Sequence, residues 1–154
     1  MQKNNLFVVF DGKSFAGWSF DELPLAAARL VACRQIDQSA DAGRGTVLGD
    51  PLRALEYQIT AEEAAEFAAS VYAGDPPPTV RAWMDATGME AQPATDNILA
   101  EAAAWKEALY LIRSLRLKAK QDVLKALDHA AIEAITDTAI DAIKVGIHGV
   151  GNAA

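Results

Sequence analysis

The sequence PATDNILAEAAAWKEALYLIRSLRLKAKQDVLKALDHAAIEAITDTAIDA, residues 93–142, decides the fold expected of this chain. It contains no proline after its first residue, and the next glycine along the chain is Gly146. A helical pattern that continues well beyond about 25 residues is typical of a coiled coil or of a helix that needs partners. We therefore predict one long helix over residues 93–142.

This long helix carries a heptad pattern, in which candidate buried residues recur at alternating steps of four and three. The predicted seam consists of Ile98, Ala102, Trp105, Leu109, Ile112, Arg116, Ala119 and Val123. Arg116 is its one charged member, and a charged seam residue usually sets the register or the number of partners. We expect the seam to form a homo-oligomer or to bind a partner protein, with Arg116 facing its own copies or a buried carboxylate.

The same helix is apolar on several sides. Leu109–Ile112 are four consecutive apolar residues that point in four directions around it. Because a helix that is apolar on most sides must be buried on most sides, an oligomeric bundle is favoured over a lone helix. A short helix over residues 79–87, ended by Gly88, is expected to cover part of this surface.

The N-terminal half mixes strand and helix signals. We predict strands over residues 6–10, 15–20 and 55–60, helices over 23–36 and 61–73, and a glycine-bearing loop over 37–50. Asp11-Gly12 is a turn dipeptide after the first strand. Thr60 and Glu63 have the spacing of a capping box, which predicts that the second helix begins there.

A proline-rich spacer divides the chain at residues 75–78. Proline fixes φ and lacks a backbone donor, so this stretch is expected to be extended and stiff. We predict a small α+β domain over residues 1–75, with a short antiparallel sheet and two helices, and a helical domain over residues 76–154. The predicted fold class is α+β, with a C-terminal part dominated by one long, coiled-coil-like helix and a glycine-rich tail that is not helical.

Composition limits the classes of function. The chain has 154 residues and a net charge of −7, which disfavours a general polyanion-binding role. Its single cysteine, Cys33, cannot form an intrachain disulfide. The N-terminus has too short an apolar run for a signal peptide, and no run approaches the 18 or so apolar residues of a membrane span. We expect a protein made in a cytoplasm and not inserted in a membrane.

The residue types that usually carry catalysis do not form a recognisable site. His129 and His148 are the only histidines, and neither has a carboxylate or cysteine at metal-ligand spacing. Cys33 has no nearby histidine or Cys-x-x-Cys partner. No nucleophile elbow or phosphate-binding loop occurs. We therefore expect no enzymatic activity, no cofactor and no metal site.

Residues 106–125 carry six basic and two acidic side chains, a local charge of +4. A nucleic-acid-binding domain is usually basic as a whole, with aromatic residues beside its basic face. This domain is acidic overall. We therefore expect a solvated flank, or an electrostatic match to an acidic neighbour, rather than a nucleic-acid interface.

Residues 55–125 contain a proline-rich spacer, a W-x-x-x-x-G helix from Trp83 to Gly88, and an alanine-rich helix with D-x-I-L-A-E from Asp96 to Glu101. That helix continues with an I-R-x-x-R-L-x-x-K core formed by Ile112, Arg113, Arg116, Leu117 and Lys120. In these features the chain resembles small proteins encoded among the tail genes of tailed bacteriophages and prophages, of the tail-fibre-assembly and tail-chaperone kind. The resemblance implies a genomic neighbourhood and phage tail partners, and it transfers no functional residues.

Two functions agree with this reading. The first is a non-enzymatic structural component of a tailed-phage virion, attached at the tail tip, baseplate or fibre and oligomerising through its long helix. The second is a chaperone that masks tail or tail-fibre subunits in the host cytoplasm and leaves before maturation. A third reading, a small DNA-binding regulator, predicts salt-dependent retention on DNA, which we do not expect.

Overall fold

The computed structural model describes residues 1–148, apart from the side chains of Leu48 and Pro51. In that range the chain forms, in order, β1 (Leu6–Phe10), β2 (Lys13–Trp18), α1 (Leu25–Leu48), α2 (Pro51–Ala69), α3 (Pro78–Thr87), α4 (Ala91–Lys125) and α5 (His129–Gly146). A two-stranded antiparallel sheet followed by a mostly helical chain confirms the coarse features of the predicted fold. The glycine-rich tail was predicted to be non-helical, and its residues 149–154 lie outside the described part.

The first two strands pair antiparallel as a hairpin, as the predicted short sheet requires, and the second strand is Lys13–Trp18 instead of the predicted 15–20. Asp11 and Gly12 connect them with φ values of 49° and 71°, as a two-residue type I′ turn requires. Val8 and Phe15 point from the hairpin into the core, whereas the neighbouring strand residues are largely exposed. Gly17, with φ at 79°, is the extra residue at the register shift, so β2 contains a β-bulge.

Helix α1 continues through the residues predicted to form a loop. The predicted helix over residues 23–36 begins at Leu25 and runs on to Leu48, so the loop over residues 37–50 was wrong. The reason is packing. Buried positions continue past Ile36 at Ala40, Gly43 and Val47, which are steps of four, three and four. Tertiary burial of this stripe overrides the low helix propensity of glycine.

Helix α2 contains the stretch predicted to be the third strand. Residues 55–60 lie inside Pro51–Ala69, so the predicted strand was wrong and the sheet has two strands. Alternating apolar residues suggested a strand, but a six-residue run is too short to separate a strand from a helix. Asp50 is the true N-cap, since its carboxylate accepts a 2.7 Å hydrogen bond from the Leu52 N–H.

The predicted capping box at Thr60 and Glu63 was also wrong. Thr60 lies inside α2, where its hydroxyl donates to the Glu56 carbonyl at 2.8 Å. Glu63 instead reaches the next helix. Its carboxylate accepts hydrogen bonds from the Thr79 hydroxyl at 2.7 Å and from the Thr79 N–H at 3.2 Å. This bond satisfies one of the free N–H groups at the start of α3.

Helix α3 confirms the predicted short helix at residues 79–87, with its start one residue earlier at Pro78. Gly88 ends it in the left-handed region with φ at 73°, and the Gly88 N–H donates to the Met84 carbonyl. This is the helix-ending role for which glycine is favoured.

The long helix is shorter than predicted. The predicted range 93–142 is divided into α4 and α5 by a break at residues 126–128. Asp128 starts α5 by accepting a 2.7 Å hydrogen bond from the Ala131 N–H, as an N-cap residue does. On the other side of the break, Arg29 donates to the Ala126 carbonyl at 2.7 Å. Side chains therefore satisfy backbone groups at both helix ends.

The chain divides into two compact units, which differ from the predicted domains 1–75 and 76–154. Unit 1 combines residues 1–44 with residues 110–148, and the described part of unit 2 is residues 45–109. The division crosses α1 and α4, so each of these helices contributes to both units. The core of unit 1 includes Val8, Phe20, Ile36, Val123 and Ile132. The core of unit 2 includes Ala64, Val80, Ala94 and Ile98.

Candidate functional site

Other parts of the same chain cover the residues of the predicted oligomer seam, wholly or in part. All eight of its residues are buried or half-buried: Ile98, Ala102, Trp105, Leu109, Ile112, Arg116, Ala119 and Val123. Ala119 and Val123 belong to the core of unit 1, and Ile98 belongs to the core of unit 2. These eight residues lie on the covered side of α4, a coiled coil is not confirmed, and their role in an oligomer or partner interface stays a prediction.

Arg116 faces a carboxylate of its own chain. Its Nη1 lies 3.0 Å from Oδ1 of Asp37 on α1, and Nζ of Lys120 lies 2.6 Å from Oδ2 of the same residue. Partial burial alone would raise the pKa of Asp37, but the hydrogen bonds from Lys120 and Arg116 outweigh it and hold that pKa below its ordinary value. Asp37 is therefore an ionised anchor between α1 and α4 rather than a proton carrier.

The sequence did not identify Asp37 as the partner, because residues 37–50 were predicted to be a loop. One feature of the sequence could have identified Asp37 as the partner of Arg116. Asp37 directly follows the buried Ile36 in a helical pattern that continues to Val47. On such a helix, residue 37 lies beside the buried stripe, where a carboxylate can reach a neighbouring basic helix.

The motif residues of the phage resemblance have structural contacts in unit 2. The indole N–H of Trp83 donates to the Asn97 side chain at 2.9 Å, and the Tyr72 hydroxyl donates to Asp96 at 2.7 Å. The latter bond raises the pKa of Tyr72. These bonds tie α3 and the end of α2 to the start of α4. The motif residues Trp83 and Asp96 therefore have a structural role, which is to hold three helices together.

The candidate reactive residues have ordinary structural surroundings. Burial raises the pKa of the Cys33 thiol, which keeps it in the protonated, weakly nucleophilic form. His129 starts α5, its Nε2 lies 2.9 Å from the Leu23 carbonyl, and its ring packs edge-on against Phe20 with 5.6 Å between centroids. His148 is exposed. Among residues 1–148, no group of three or more His, Cys, Asp or Glu side chains is placed to hold a metal ion.

One open groove of about 390 Å³ lies beside the hairpin, lined by Ala16, Gly17, Trp18 and Glu22. Hydrogen bonds from the backbone and hydroxyl of Ser19 lower the pKa of Glu22, its single ionisable residue.

Helix α4 also has an outward side with its own heptad spacing. Its exposed residues Tyr110, Arg113, Leu117 and Leu124 follow one another at steps of three, four and seven. We call this set the α4 outer face. The exposed fractions of its three apolar members are 61%, 43% and 53%, in chain order. Of the five residues that define the I-R-x-x-R-L-x-x-K core, Ile112, Arg116 and Lys120 are buried or half-buried. The other two, Arg113 and Leu117, are exposed.

Helix α2 presents a second exposed stripe. The sequence analysis did not identify it, because residues 55–60 were predicted to be a strand. It consists of Leu52, Leu55, Ile59, Glu62 and Glu66, at alternating steps of three and four. We call this set the α2 outer face. The exposed fractions of its three apolar members are 74%, 54% and 44%. Its first half is apolar and its second half is acidic, and the spacing itself was visible in the sequence.

Comparison of the chain with protein-family models, curated proteins and solved structures gave no match. None of the helices in the described part of the chain combines the length and the apolar character that a bilayer span requires. The features on which a function can be argued are thus the two outer faces and the contacts that hold their helices in place.

Proposed function

We propose that this protein is a non-enzymatic structural component of a tailed-phage virion, attached at the tail tip, baseplate or tail fibre. The observation that carries the proposal is the pair of outer faces, on α2 and α4, each of which exposes three large apolar side chains along one side of a helix. Aligned apolar residues on a helix surface are typical of a protein that binds other proteins.

The phage assignment rests on the resemblance of residues 55–125 to tail-gene proteins. The motifs that carry that resemblance coincide with helices α3 and α4 and with the bonds that join them, such as Trp83 to Asn97. The motif residues thus hold together helices whose outer faces are exposed, and such an arrangement supports a role in the assembly of a larger particle. Its partners would be phage tail, baseplate or fibre proteins and further copies of itself, assembled in the host cytoplasm and retained in the virion.

Disruption of the gene in a phage or prophage that carries it tests the tail assignment. We expect heads of normal appearance with absent or incomplete tails in electron micrographs, and normal tails after complementation in trans. A stop codon early in the gene and a synonymous change at the same codon form a matched pair. Particles with unaltered tails and full infectivity after disruption would contradict the proposal.

The second candidate is an assembly chaperone for tail or tail-fibre subunits, which would leave before the particle matures. Its supporting observation is the exposed apolar surface of the hairpin, where Phe7 is 66% exposed and could cover a client's apolar patch. Gene disruption gives a tail defect in both cases. The two functions differ in whether the protein stays in the finished particle.

A further inference from the structure

The two outer faces match each other in length and spacing. Leu52 and Glu66 on α2 are 14 residues apart, and so are Tyr110 and Leu124 on α4. At a rise of 1.5 Å per residue, each face is about 21 Å long. Both follow the seven-residue period that lets two helices stay in contact along their length.

Their chemistry matches in one orientation. With the helices antiparallel and Ile59 opposite Leu117, Leu52 lies opposite Leu124 and Glu62 lies beside Arg113. The apolar half of α2 then meets the apolar half of α4, and the acidic half of α2 meets the basic residue of α4. In the parallel orientation Leu55 would lie opposite Arg113 and Glu66 opposite Leu124, so that a charged residue faces a leucine at two positions.

Charge supports the same pairing. The surface of α2 from residue 53 to residue 66 exposes Glu56, Glu62 and Glu66 against one basic residue, Arg53. On α4, the region from residue 106 to residue 125 exposes four basic residues against one exposed acidic residue, Glu107; the four are Lys106, Arg113, Lys118 and Lys125. Oppositely charged surfaces steer association and select partners, and they suppress wrong pairings.

Pairing of like faces is worse in both cases. The α4 outer face laid antiparallel on its own copy places Arg113 opposite Gln121, so that its charge lacks the carboxylate that Glu62 supplies. The α2 outer face laid antiparallel on its own copy brings Leu52 and Leu55 against the carboxylates of Glu66 and Glu62. Charges left unpaired in an interface oppose both contacts.

We propose that this protein self-associates head to tail, the α4 outer face of one copy packing antiparallel on the α2 outer face of a second copy. After a single contact, the first copy still exposes its α2 outer face and the second copy still exposes its α4 outer face. Such a heterologous interface continues by addition of copies and produces a ring or an open chain. The second copy is therefore the occupant of both exposed faces.

Self-association would build the virion component proposed above, so its role in a phage particle rests on that proposed function. Its test uses the purified full-length protein alone. Failure of self-association and failure of the virion role are therefore separate results.

The experiment is size-exclusion chromatography with light scattering, from about 10 µM to about 1 mM protein. We expect the mass to rise with concentration above the 16.4 kDa of one chain. Arg113→Glu and Glu62→Arg, made singly, place like charges across the interface and should each weaken association by about tenfold or more. The double variant, and an equimolar mixture of the two single variants, should both regain assembly, because opposite charges again face each other.

Two matched charge reversals away from both faces serve as controls, Arg34→Glu on α1 and Glu90→Arg before α4, both at exposed positions. They should assemble like the wild type. Rescue by mixing also shows that each single variant is folded. The proposal is overturned by a monomeric wild type at the highest concentration, by unchanged assembly of both single variants, by equal loss in the controls, or by a double variant that stays monomeric.

Discussion

The guanidinium of Arg116 on α4 donates a 3.0 Å hydrogen bond to the carboxylate of Asp37 on α1, across 79 positions of sequence. This contact gives a charged residue on the inward face of α4 a partner within its own chain. Lys120, one turn further along, binds the other carboxylate oxygen of Asp37. The basic residues nearest the core are thereby used in folding, which leaves Arg113 as the basic residue of the α4 outer face.

Replacing Asp37 with asparagine should lower stability at neutral pH. The change removes the negative charge that faces Arg116 and Lys120. Arg116 already has a buried Nε without a hydrogen-bond partner among the described residues, so the loss of its ion pair adds to the cost of burying its charge. We expect a loss of about 1–2 kcal/mol, since the pair is about one-third exposed and partly screened. Chemical denaturation at pH 7 measures it. Asp41→Asn, on the same helix but at a more exposed ion pair, should change stability by less than about 0.5 kcal/mol.

The Asp37 contact also predicts a pH dependence. Its folded-state pKa lies below its ordinary value, so near that ordinary value the unfolded chain binds more protons than the folded one. The stability it contributes is present above the unfolded-state pKa and is lost as pH falls through the folded-state value. The wild type should therefore lose its stability advantage over Asp37→Asn as the pH falls from neutral through the ordinary pKa of aspartate and then below the folded-state pKa of Asp37. An advantage that stays constant over that range would contradict the assignment.

Two glycines test whether α1 continues past residue 36. An added Cβ at Gly45 would meet no atom within 4 Å, so Gly45→Ala should stabilise a helix by about 0.5–1 kcal/mol. A Cβ at Gly43 would lie 3.2 Å from the Ile143 side chain, so Gly43→Leu should overpack the core and destabilise it by about 1–3 kcal/mol. Thermal melts of both variants measure this. If the segment were a loop, Gly45→Ala would lack the helix-propensity gain and Gly43→Leu would be tolerated.

The two sides of α4 should respond differently to truncation. Ile112 is 1% exposed, and Ile112→Ala should cost about 2–5 kcal/mol of unfolding free energy. Leu117 is on the outer face, and Leu117→Ala should change the stability of the single chain by less than about 0.5 kcal/mol. Urea denaturation at low protein concentration separates the two. Equal losses would mean that the inward and outward sides of α4 are assigned incorrectly.

The bond from Thr79 to Glu63 predicts a capping effect between two helices. Glu63→Ala removes the acceptor for the Thr79 N–H and hydroxyl and should cost about 0.5–2 kcal/mol, as loss of an N-cap does. The neighbouring Glu62→Ala is the matched control, because Glu62 is exposed and accepts a hydrogen bond from Gln58 on its own helix. Its effect on stability should stay within about 0.5 kcal/mol. Similar losses of unfolding free energy in both variants would contradict the capping role of Glu63.

Local signals in the sequence were sufficient for some elements. The Asp11-Gly12 dipeptide predicted the hairpin because both residues tolerate the positive φ of its turn. Gly88 likewise predicted the end of α3. Heptad spacing on α4 identified residues that are buried, such as Ile112 and Val123. It could not say whether another copy or the same chain covers them, because periodicity describes one helix and carries no information about its neighbour.

Other elements depended on packing that the sequence does not display. The glycines after Ile36 indicated a loop, yet Gly43 lies in α1, where an added Cβ would come within 4 Å of the Ile112 and Ile143 side chains. Residues 55–60 alternate like a strand, although Asp50 starts a helix before them. The break before Asp128 was missed because no proline or glycine marks it. Only the side-chain cap at Asp128 and the Arg29 bond to Ala126 reveal it.

The most direct test of the proposed virion role is quantitative mass spectrometry of particles purified by density gradient from a host that produces the phage. We expect the protein in finished particles at a fixed ratio to the major tail protein, the same in independent preparations and after a high-salt wash. Abundance in the cell lysate together with absence from purified particles would contradict the virion role and favour the assembly chaperone.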